Sequence, residues 1–395
     1  MSEEAGNREN RGENSPEGKK KLHVLLRTFG CQMNIRDSEM VAGLFLEGGW
    51  KLAESQDKAD VILFNTCSVR AHAEERVWGN IGMLRKLKEK RPDLIIGVIG
   101  CMAQRIGSDF FKRSNLVDIA CGPSDEENLP GLVEEFIKTR QHILSVSNIG
   151  QPRKEVFLKY RNSRGAKFCA STPAYVNISH GCDNFCSYCI VPYVRGKEIS
   201  RRPEDIIREI RMLAKRGVKE ITLLGQNVNS YGRDTHDFVK LLKEINKIGG
   251  IERIEFMTSH PKDAGEDLFK AMADLPKAVK HLHLPLQSGS DKILKAMNRG
   301  YTAKKYLSLT EKLREIIPGC SLTTDIIVGF PGETEEDFKK TFDLMKKIEF
   351  GAAYIFKYSP RPPAASAKLK DDVPQEEKER RNQALIELLK SNNKG

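Results

Sequence analysis

The segment 177–196, NISHGCDNFCSYCIVPYVRG, places three cysteines in a C-x3-C-x2-C arrangement, at Cys182, Cys186 and Cys189. Thiolates are soft ligands that favour zinc or iron–sulfur clusters. A 4Fe–4S cluster normally takes four cysteines, and no fourth cysteine lies nearby, so one iron would stay open. An open metal position is where chemistry takes place. We therefore interpret these three residues, the second trio, as a catalytic iron–sulfur site; the alternative is a structural zinc site that borrows His180 or a distant residue.

A strand–helix rhythm begins at this segment and continues toward the end of the chain. Six apolar runs, separated by amphipathic helical stretches, predict strands: AYVNISHGC, KEITLLGQN, RIEFMTSH, KHLHLPLQSGS, LTTDIIVGFPG and AAYIFKYSP. Six such units resemble a TIM barrel that stops at six instead of eight. Because active sites of these barrels lie at the carboxyl ends of the strands, the second trio falls on the expected face.

The first half of the chain carries three more cysteines, each at the end of an apolar run. Cys31, Cys67 and Cys101, the first trio, follow three such runs with helical stretches between them. Continuous apolar strands alternating with helices predict a parallel sheet covered on both faces. The carboxyl ends of its strands share one edge, so the three thiols converge into a second metal site. Three core cysteines are the alternative, and Cys121, which also follows an apolar run, qualifies by position as a fourth ligand.

Local signals in this half predict two helices. The first is expected to be capped by Asp37 or Ser38 and to end at Gly48-Gly49. The second is expected to run from about residue 71 to residue 91, where Pro92 stops it.

The fold class is therefore α/β, with an N-terminal parallel-sheet domain followed by a partial (β/α)6 barrel. We expect a disordered tail at 1–20, the first domain at 21–144, a basic linker at 145–170 and the barrel domain at 171–395. The tail is polar and charged without an apolar core.

Composition describes an ordinary globular chain with a basic balance. Of 395 residues, 39% are hydrophobic and 30% charged, and the net charge of +11 favours a polyanionic partner, with nucleic acid the first candidate. No apolar run approaches the roughly 18 residues of a membrane span, and the N-terminus lacks a secretory signal. We predict a cytoplasmic protein without a membrane partner, whose nine cysteines bind metal, react or pack rather than form disulfides.

These features resemble the radical S-adenosylmethionine enzymes, and the first trio narrows the resemblance to the methylthiotransferases. The match is closest to those that modify isopentenyladenosine (dimethylallyladenosine) in tRNA. It spans residues 24 to about 363, in the stretches TFGCQMNIRDSE, NTCSVR, GCMAQR, HGCDNFCSYCIVPYVRGKE, LLGQNVNSYG, TSHP, HLPLQSGS, TDIIVGFPGET and YSPRP.

The resemblance implies two 4Fe–4S clusters and S-adenosylmethionine as cofactors. The second trio would bind the catalytic cluster, which cleaves S-adenosylmethionine to a 5′-deoxyadenosyl radical, and the first trio an auxiliary cluster that holds the sulfur to be methylated. The product would be the 2-methylthio derivative of isopentenyladenosine beside the tRNA anticodon. The implied partners are tRNA, a reducing electron donor such as flavodoxin or ferredoxin, and a sulfur donor, and we expect a monomer. Three cysteines outside the motifs are expected to pack: Cys121, Cys169 and Cys320.

Residues that would hold S-adenosylmethionine are chosen by their position at strand ends. They are Gln226, Asn227, Ser288, Gly289, Asp325 and Gly329, for which turn formation or packing is the alternative. Three arginines could meet phosphate or the cofactor carboxylate, although a solvated face is the more common role of such residues: Arg195, Arg201 and Arg202.

The chain departs from the family in two places. The small C-terminal β-barrel (TRAM-like) domain that helps to hold tRNA is expected to be absent, and YSPRPPAASA replaces the more common Gly-Thr after the proline. The nearest rival function is a sister methylthiotransferase that acts on threonylcarbamoyladenosine in tRNA or on a ribosomal-protein aspartate. Gln32-Met33 and the stretch NTCSVR argue against both. A rival of another class is a non-catalytic, zinc-dependent RNA-binding protein.

Overall fold

The computed structural model describes residues 22–68, 71–147, 173–233 and 237–392. The predicted tail at 1–20, most of the predicted linker and Cys169 lie outside the described residues. Within the described part of the chain, no helix combines the length and apolar character needed to cross a membrane.

The N-terminal domain is a six-stranded, fully parallel sheet in the order β2-β1-β3-β4-β5-β6, as the continuous apolar runs predicted. Its strands are β1 (His23–Phe29), β2 (Lys51–Leu52), β3 (Val61–Thr66), β4 (Ile95–Ile99), β5 (Ile119–Cys121) and β6 (Ile143–Ser145). Its helices are α1 (Gln32–Glu47), α2 (Ala71–Met83), α3 (Arg85–Lys90), α4 (Cys101–Ile106), α5 (Asp109–Arg113) and α6 (Leu129–Thr139). Alternate residues of β3 feed two different cores, with Ile62 and Phe64 on one face and Val61 and Leu63 on the other.

Helix α1 begins earlier than the sequence predicted. Cys31 is its extended N-cap, so the prediction of a cap at Asp37 or Ser38 was wrong. Both residues are buried inside the helix because they serve tertiary partners, and the Ser38 hydroxyl accepts a hydrogen bond from Thr28 Oγ1 at 2.7 Å. The C-cap at Gly48 agrees with the prediction. The second predicted helix is divided into α2 and α3.

The second domain is the predicted partial barrel. Its six barrel strands form two three-stranded sheets, β7-β10-β11 and β12-β13-β14, with parallel pairing throughout. An isolated parallel bridge connects Ile254 of the first sheet to Ala278, which precedes the first strand of the second sheet. The strands are β7 (Ala174–Asn177), β10 (Glu220–Leu224), β11 (Arg253–Phe256), β12 (His281–His283), β13 (Ser321–Val328) and β14 (Ala352–Lys357), and the antiparallel pair β8 (Ser179–His180) and β9 (Ile199–Ser200) flanks the second trio.

Helices cover the outside of this barrel and complete its core. They are α7 (Val191–Arg195), α8 (Pro203–Lys215), α9 (Phe238–Asn246), α10 (Glu266–Asp274), α11 (Asp291–Ala296), α12 (Ala303–Ile316), α13 (Glu335–Ile348) and α14 (Gln375–Asn392). Helix α14 packs against β14, the last strand of the incomplete barrel.

The two domains meet through charged side chains of α1, which packs against β7. Arg36 lies 3.4 Å from Glu209, and the same carboxylate pairs with Arg201 at 2.7 Å. Asp37 pairs with Arg195 at 2.6 Å. Removing one partner of such a buried pair costs several kcal/mol, about 3–5, so these contacts fix the orientation of the domains. The polar residues inside α1 are therefore interface residues.

Candidate active site

The first trio lies at one edge of the N-terminal sheet. Cys31 caps α1 two residues after β1, Cys67 directly follows β3, and Cys101 opens α4 two residues after β4. The Cys67 thiol is hydrogen-bonded to Cys31, which, with the nearby positive charge of Arg195, lowers the pKa of Cys31 to about 6. Cys31 and Cys67 are therefore in contact at this edge, Cys101 lies within electrostatic reach of Cys31, and the Cys31 thiol is ready to ionise near neutral pH.

Amide side chains tie this edge together. Cys31 Sγ donates to Asn34 Oδ1 at 3.2 Å, and Asn34 Nδ2 donates to Asn65 Oδ1 at 2.8 Å. Asn65 Nδ2 in turn donates to Ser38 Oγ at 3.0 Å. Gly100 passes so close to this network that a Cβ atom there would stand 2.6 Å from Asn65 Oδ1. The Cys31 thiol is thus held by a connected layer of buried polar side chains, of the kind that orients metal ligands.

Cys121 differs from the first trio in its position along the strand. It is the last residue of β5, is fully buried, and packs with Ile119 and Val133 in the hydrophobic core. Cys320 is likewise part of the barrel core, directly before β13. The structure therefore places both among packing side chains rather than beyond a strand end.

The second trio occupies the loop between β8 and α7. Cys182 and Cys186 are buried and Cys189 is partly buried. Burial raises the pKa of Cys182 to about 11 and that of Cys189 to about 12, with the neighbouring Cys186 adding to both effects. Thiols in such a place ionise when a metal ion compensates their charge. Three thiols in one largely buried loop therefore suit a metal cluster.

Two residues beside Cys186 were not among the sequence candidates. Arg299 Nη1 donates to Cys186 Sγ and to Tyr188 Oη, both at 3.3 Å. His260 Nε2 lies 3.9 Å from the same sulfur, and burial lowers the pKa of His260 to about 2, so its ring is neutral. His260 stands at a strand exit, which is a usable signal. Arg299 sits in an Asn-Arg-Gly turn that nothing in the sequence distinguishes from a solvated turn.

A cavity of about 730 Å³ opens beside Cys189 at the mouth of the barrel. Gln287 and Asp325 line it, together with aromatic and aliphatic side chains of β14 and the loop that follows. Gln287 adopts the left-handed backbone region (φ 70°) and its buried Oε1 has no hydrogen-bond partner. Asp325 lies 3.5 Å from His283 Nε2. Charged side chains share the lining, among them Lys357, Arg361 and Lys378, so the cavity offers both apolar surface and polar groups to a ligand.

The remaining strand-end candidates fall into two groups. Asn227 is held by a hydrogen bond from its Nδ2 to Asp263 at 2.7 Å, while its Oδ1 and the Oε1 of Gln226 are buried without a partner. These oxygens are open acceptors at the ends of barrel strands. The structure thus leaves them suited to a ligand with amino or hydroxyl groups.

Ser288, Gly289 and Gly329 engage the protein itself. Gly289 N donates to Thr341 Oγ1 of α13 at 2.9 Å, and Ser288 Oγ lies 3.3 Å from the same hydroxyl. Gly329 N donates to Glu333 Oε2 at 2.5 Å. For these residues the structure shows packing and turn formation, the alternative that the sequence left open.

The sequence favoured a solvent-exposed position for three arginines, and this expectation was wrong for two of them. Arg195 and Arg201 are buried and ion-paired, whereas the Arg202 side chain is 65% exposed. Arg195 Nε donates to Cys101 Sγ at 3.2 Å. Cys101 also packs against Ile190, the residue after Cys189. One cysteine of the first trio therefore contacts the segment that directly follows the second trio across the domain interface.

The donor set fits iron–sulfur clusters. Within the described ranges, no three Cys, His, Asp or Glu side chains stand close enough to share one metal ion. A 4Fe–4S cluster is held by Cys thiolates that bind different irons, and both trios supply only such soft donors.

Comparison with known proteins identifies the class of protein to which this architecture belongs. Residues 176–345 match the radical SAM superfamily, and residues 23–122 match the uncharacterized protein family UPF0004. Among solved structures, TsrM from Kitasatospora setae, a radical S-adenosylmethionine methyltransferase, aligns with a TM-score of 0.60 over 88% of this chain and 75% of its own, at 14% identity. The fold and site define a radical S-adenosylmethionine enzyme, a class that implies one 4Fe–4S cluster and S-adenosylmethionine as cofactors.

Sequence relatives narrow the class. A protein of Caldicellulosiruptor saccharolyticus is 50% identical over 94% of this chain and 78% of its own length, and one of Thermoanaerobacter sp. (strain X514) is 48% identical over 96% and 79%. Both are named tRNA-2-methylthio-N(6)-dimethylallyladenosine synthase. This chain belongs to that family, and the predicted resemblance is confirmed.

Proposed function

We propose that this chain attaches a methylthio group to carbon 2 of the adenine of N6-dimethylallyladenosine in tRNA, beside the anticodon. The names of relatives close to 50% identical support this substrate. The observation that carries the proposal is the proximity of Cys101, of the first trio, to the segment that directly follows the second trio, because Cys101, Ile190 and Val194 form one buried cluster. Sulfur held at one trio would thus be close to a radical formed at the other.

The second trio, Cys182, Cys186 and Cys189, would hold the catalytic 4Fe–4S cluster, and the first trio would hold an auxiliary one. When bound, these groups supply the 5′-deoxyadenosyl radical, generated from S-adenosylmethionine, and the sulfur to be transferred. Protein groups supply binding, orientation and exclusion of side reactions.

Side chains around the second trio would position the cofactor. Arg299 fixes Cys186 through its hydrogen bond to the sulfur. Gln287 and Asp325 face the cavity beside Cys189 and offer acceptor oxygens. Gln226 and Asn227 add two further open acceptors at neighbouring strand ends. The amino and hydroxyl groups of S-adenosylmethionine are donors that such oxygens can bind.

The remaining partners follow from the reaction. A net charge of +11 suits a tRNA substrate. Each radical needs one electron, so we propose a reducing donor such as flavodoxin or ferredoxin, and each product removes one sulfur, so a sulfur donor must replace it. We further propose that the chain acts as a monomer in the cytoplasm.

Iron, sulfide and cofactor cleavage in anaerobically reconstituted protein test this assignment. Two 4Fe–4S clusters require about eight irons per chain, and reduction in the presence of S-adenosylmethionine should yield 5′-deoxyadenosine. Cys31→Ala should halve the iron and retain this cleavage. A colourless protein that contains zinc and no iron would overturn the proposal in favour of a zinc-dependent RNA-binding protein.

A further inference from the structure

Arg195 is buried between the two trios and contacts both sides of the domain interface. It belongs to α7, directly after the second trio, and its side chain is 3% exposed. Its Nε donates to Cys101 Sγ at 3.2 Å, and its Nη2 donates to Asp37 Oδ2 of α1 at 2.6 Å. Its Nη1 lies 3.4 Å from Nδ1 of His180, two residues before Cys182. One guanidinium thus joins a sulfur of the first trio to the segment that carries the second.

We infer that Arg195 is a positioning residue that fixes the two cluster sites relative to each other and raises the reduction potential of the auxiliary cluster through its N–H···S hydrogen bond. This inference rests on the proposed function, because it requires a cluster at Cys31, Cys67 and Cys101. A donor to a ligating sulfur stabilises the reduced, more negative form of a cluster, and hydrogen bonds to sulfur are among the determinants of cluster potential. In a buried site a charged donor has the stronger effect.

The Asp37 carboxylate reduces the effect of the Arg195 positive charge on the Cys101 sulfur. It accepts a hydrogen bond from Nη2 of the guanidinium whose Nε donates to Cys101, and its negative charge offsets the positive charge of that group. Loss of Arg195 and loss of the Asp37 charge should therefore move the potential in opposite directions. A general loosening of the interface would give no such reversal of sign.

The test uses the full chain with Cys182, Cys186 and Cys189 replaced by Ala, so that only the auxiliary cluster can form. After anaerobic reconstitution, iron is counted and the midpoint potential is measured by redox titration followed by electron paramagnetic resonance. Arg195→Gln should favour the oxidised form at least tenfold, which corresponds to about 59 mV more negative for a one-electron couple. Asp37→Asn should make the potential more positive.

Arg36→Gln is the matched control. Arg36 is also a buried arginine of the interface, but its ion pair is with Glu209 rather than near a sulfur. The Arg36→Gln substitution should leave the midpoint potential of the auxiliary cluster unchanged. The inference is wrong if the Arg195→Gln variant binds iron and keeps the midpoint potential of the parent. It is also wrong if Arg195→Gln and Asp37→Asn shift the midpoint potential in the same direction. If Arg195→Gln does not fold, the sign of the Asp37→Asn shift decides. Absence of iron in the parent would overturn the proposed auxiliary cluster, and this inference with it.

Discussion

Gly100→Ala is expected to destabilise the edge of the sheet that holds the first trio. Gly100 has φ 88° and ψ −158°, a region that is essentially reserved for glycine, and an added Cβ would also stand 3.1 Å from Thr66 O. The same Cβ would displace Asn65, whose amide makes buried hydrogen bonds to Asn34. Backbone strain costs roughly 1–3 kcal/mol, and an unsatisfied buried amide adds about 1–3 kcal/mol. The total loss of stability is therefore about 2–6 kcal/mol.

Gly107→Ala separates these two effects. Gly107 has φ 57° and ψ −135°, but no atom lies within 4 Å of a Cβ built there. It should show the backbone cost alone, roughly 1–3 kcal/mol. Both tryptophans of the chain, Trp50 and Trp78, lie in the N-terminal domain, so tryptophan fluorescence during urea unfolding of the metal-free protein reports on this domain. Equal losses of unfolding free energy in the two variants would refute the argument from close approach.

Two further predictions test the barrel domain. Cys186→Ala should abolish formation of 5′-deoxyadenosine, measured by chromatography after reduction, whereas Cys320→Ala should retain it because Cys320 packs in the core; loss of activity in both would contradict the assignment. Arg381→Met should destabilise the barrel by about 3–5 kcal/mol, because it leaves the Glu333 carboxylate buried without its 2.7 Å ion pair. Adding Glu333→Gln should recover much of that loss in urea unfolding followed by circular dichroism, and no recovery would show that the ion pair is not the cause.

The sheet and barrel were predictable because continuous apolar runs have few alternatives once helices alternate with them. Strand ends placed the first trio correctly at one edge, where the pairing of Cys31 with Cys67 brings distant residues together. Strand position alone could not separate Cys121 from that trio. One residue of register decides between a core position within β5 and a position beyond the strand, and sequence patterns do not fix register so finely.

The contacts between the two domains could not be predicted from the sequence. Asp37 looked like a helix cap and Arg195 like a solvated arginine, because each is charged and neither shows its partner in the local pattern. Their 2.6 Å ion pair joins segments that are far apart in the chain. Such pairs follow from tertiary packing, which periodicity does not encode. Gln287 was visible at a strand exit, yet its unpartnered buried oxygen became evident only in the structure.

The most direct test of the central claim is a turnover assay on defined tRNA. Reconstituted protein is incubated anaerobically with S-adenosylmethionine, a reductant and tRNA that carries N6-dimethylallyladenosine beside the anticodon. Nucleosides are then analysed by mass spectrometry, with tRNA carrying threonylcarbamoyladenosine as the comparison. The 2-methylthio derivative of dimethylallyladenosine should form, and the comparison tRNA should stay unmodified. Methylthiolation of threonylcarbamoyladenosine instead would contradict the account.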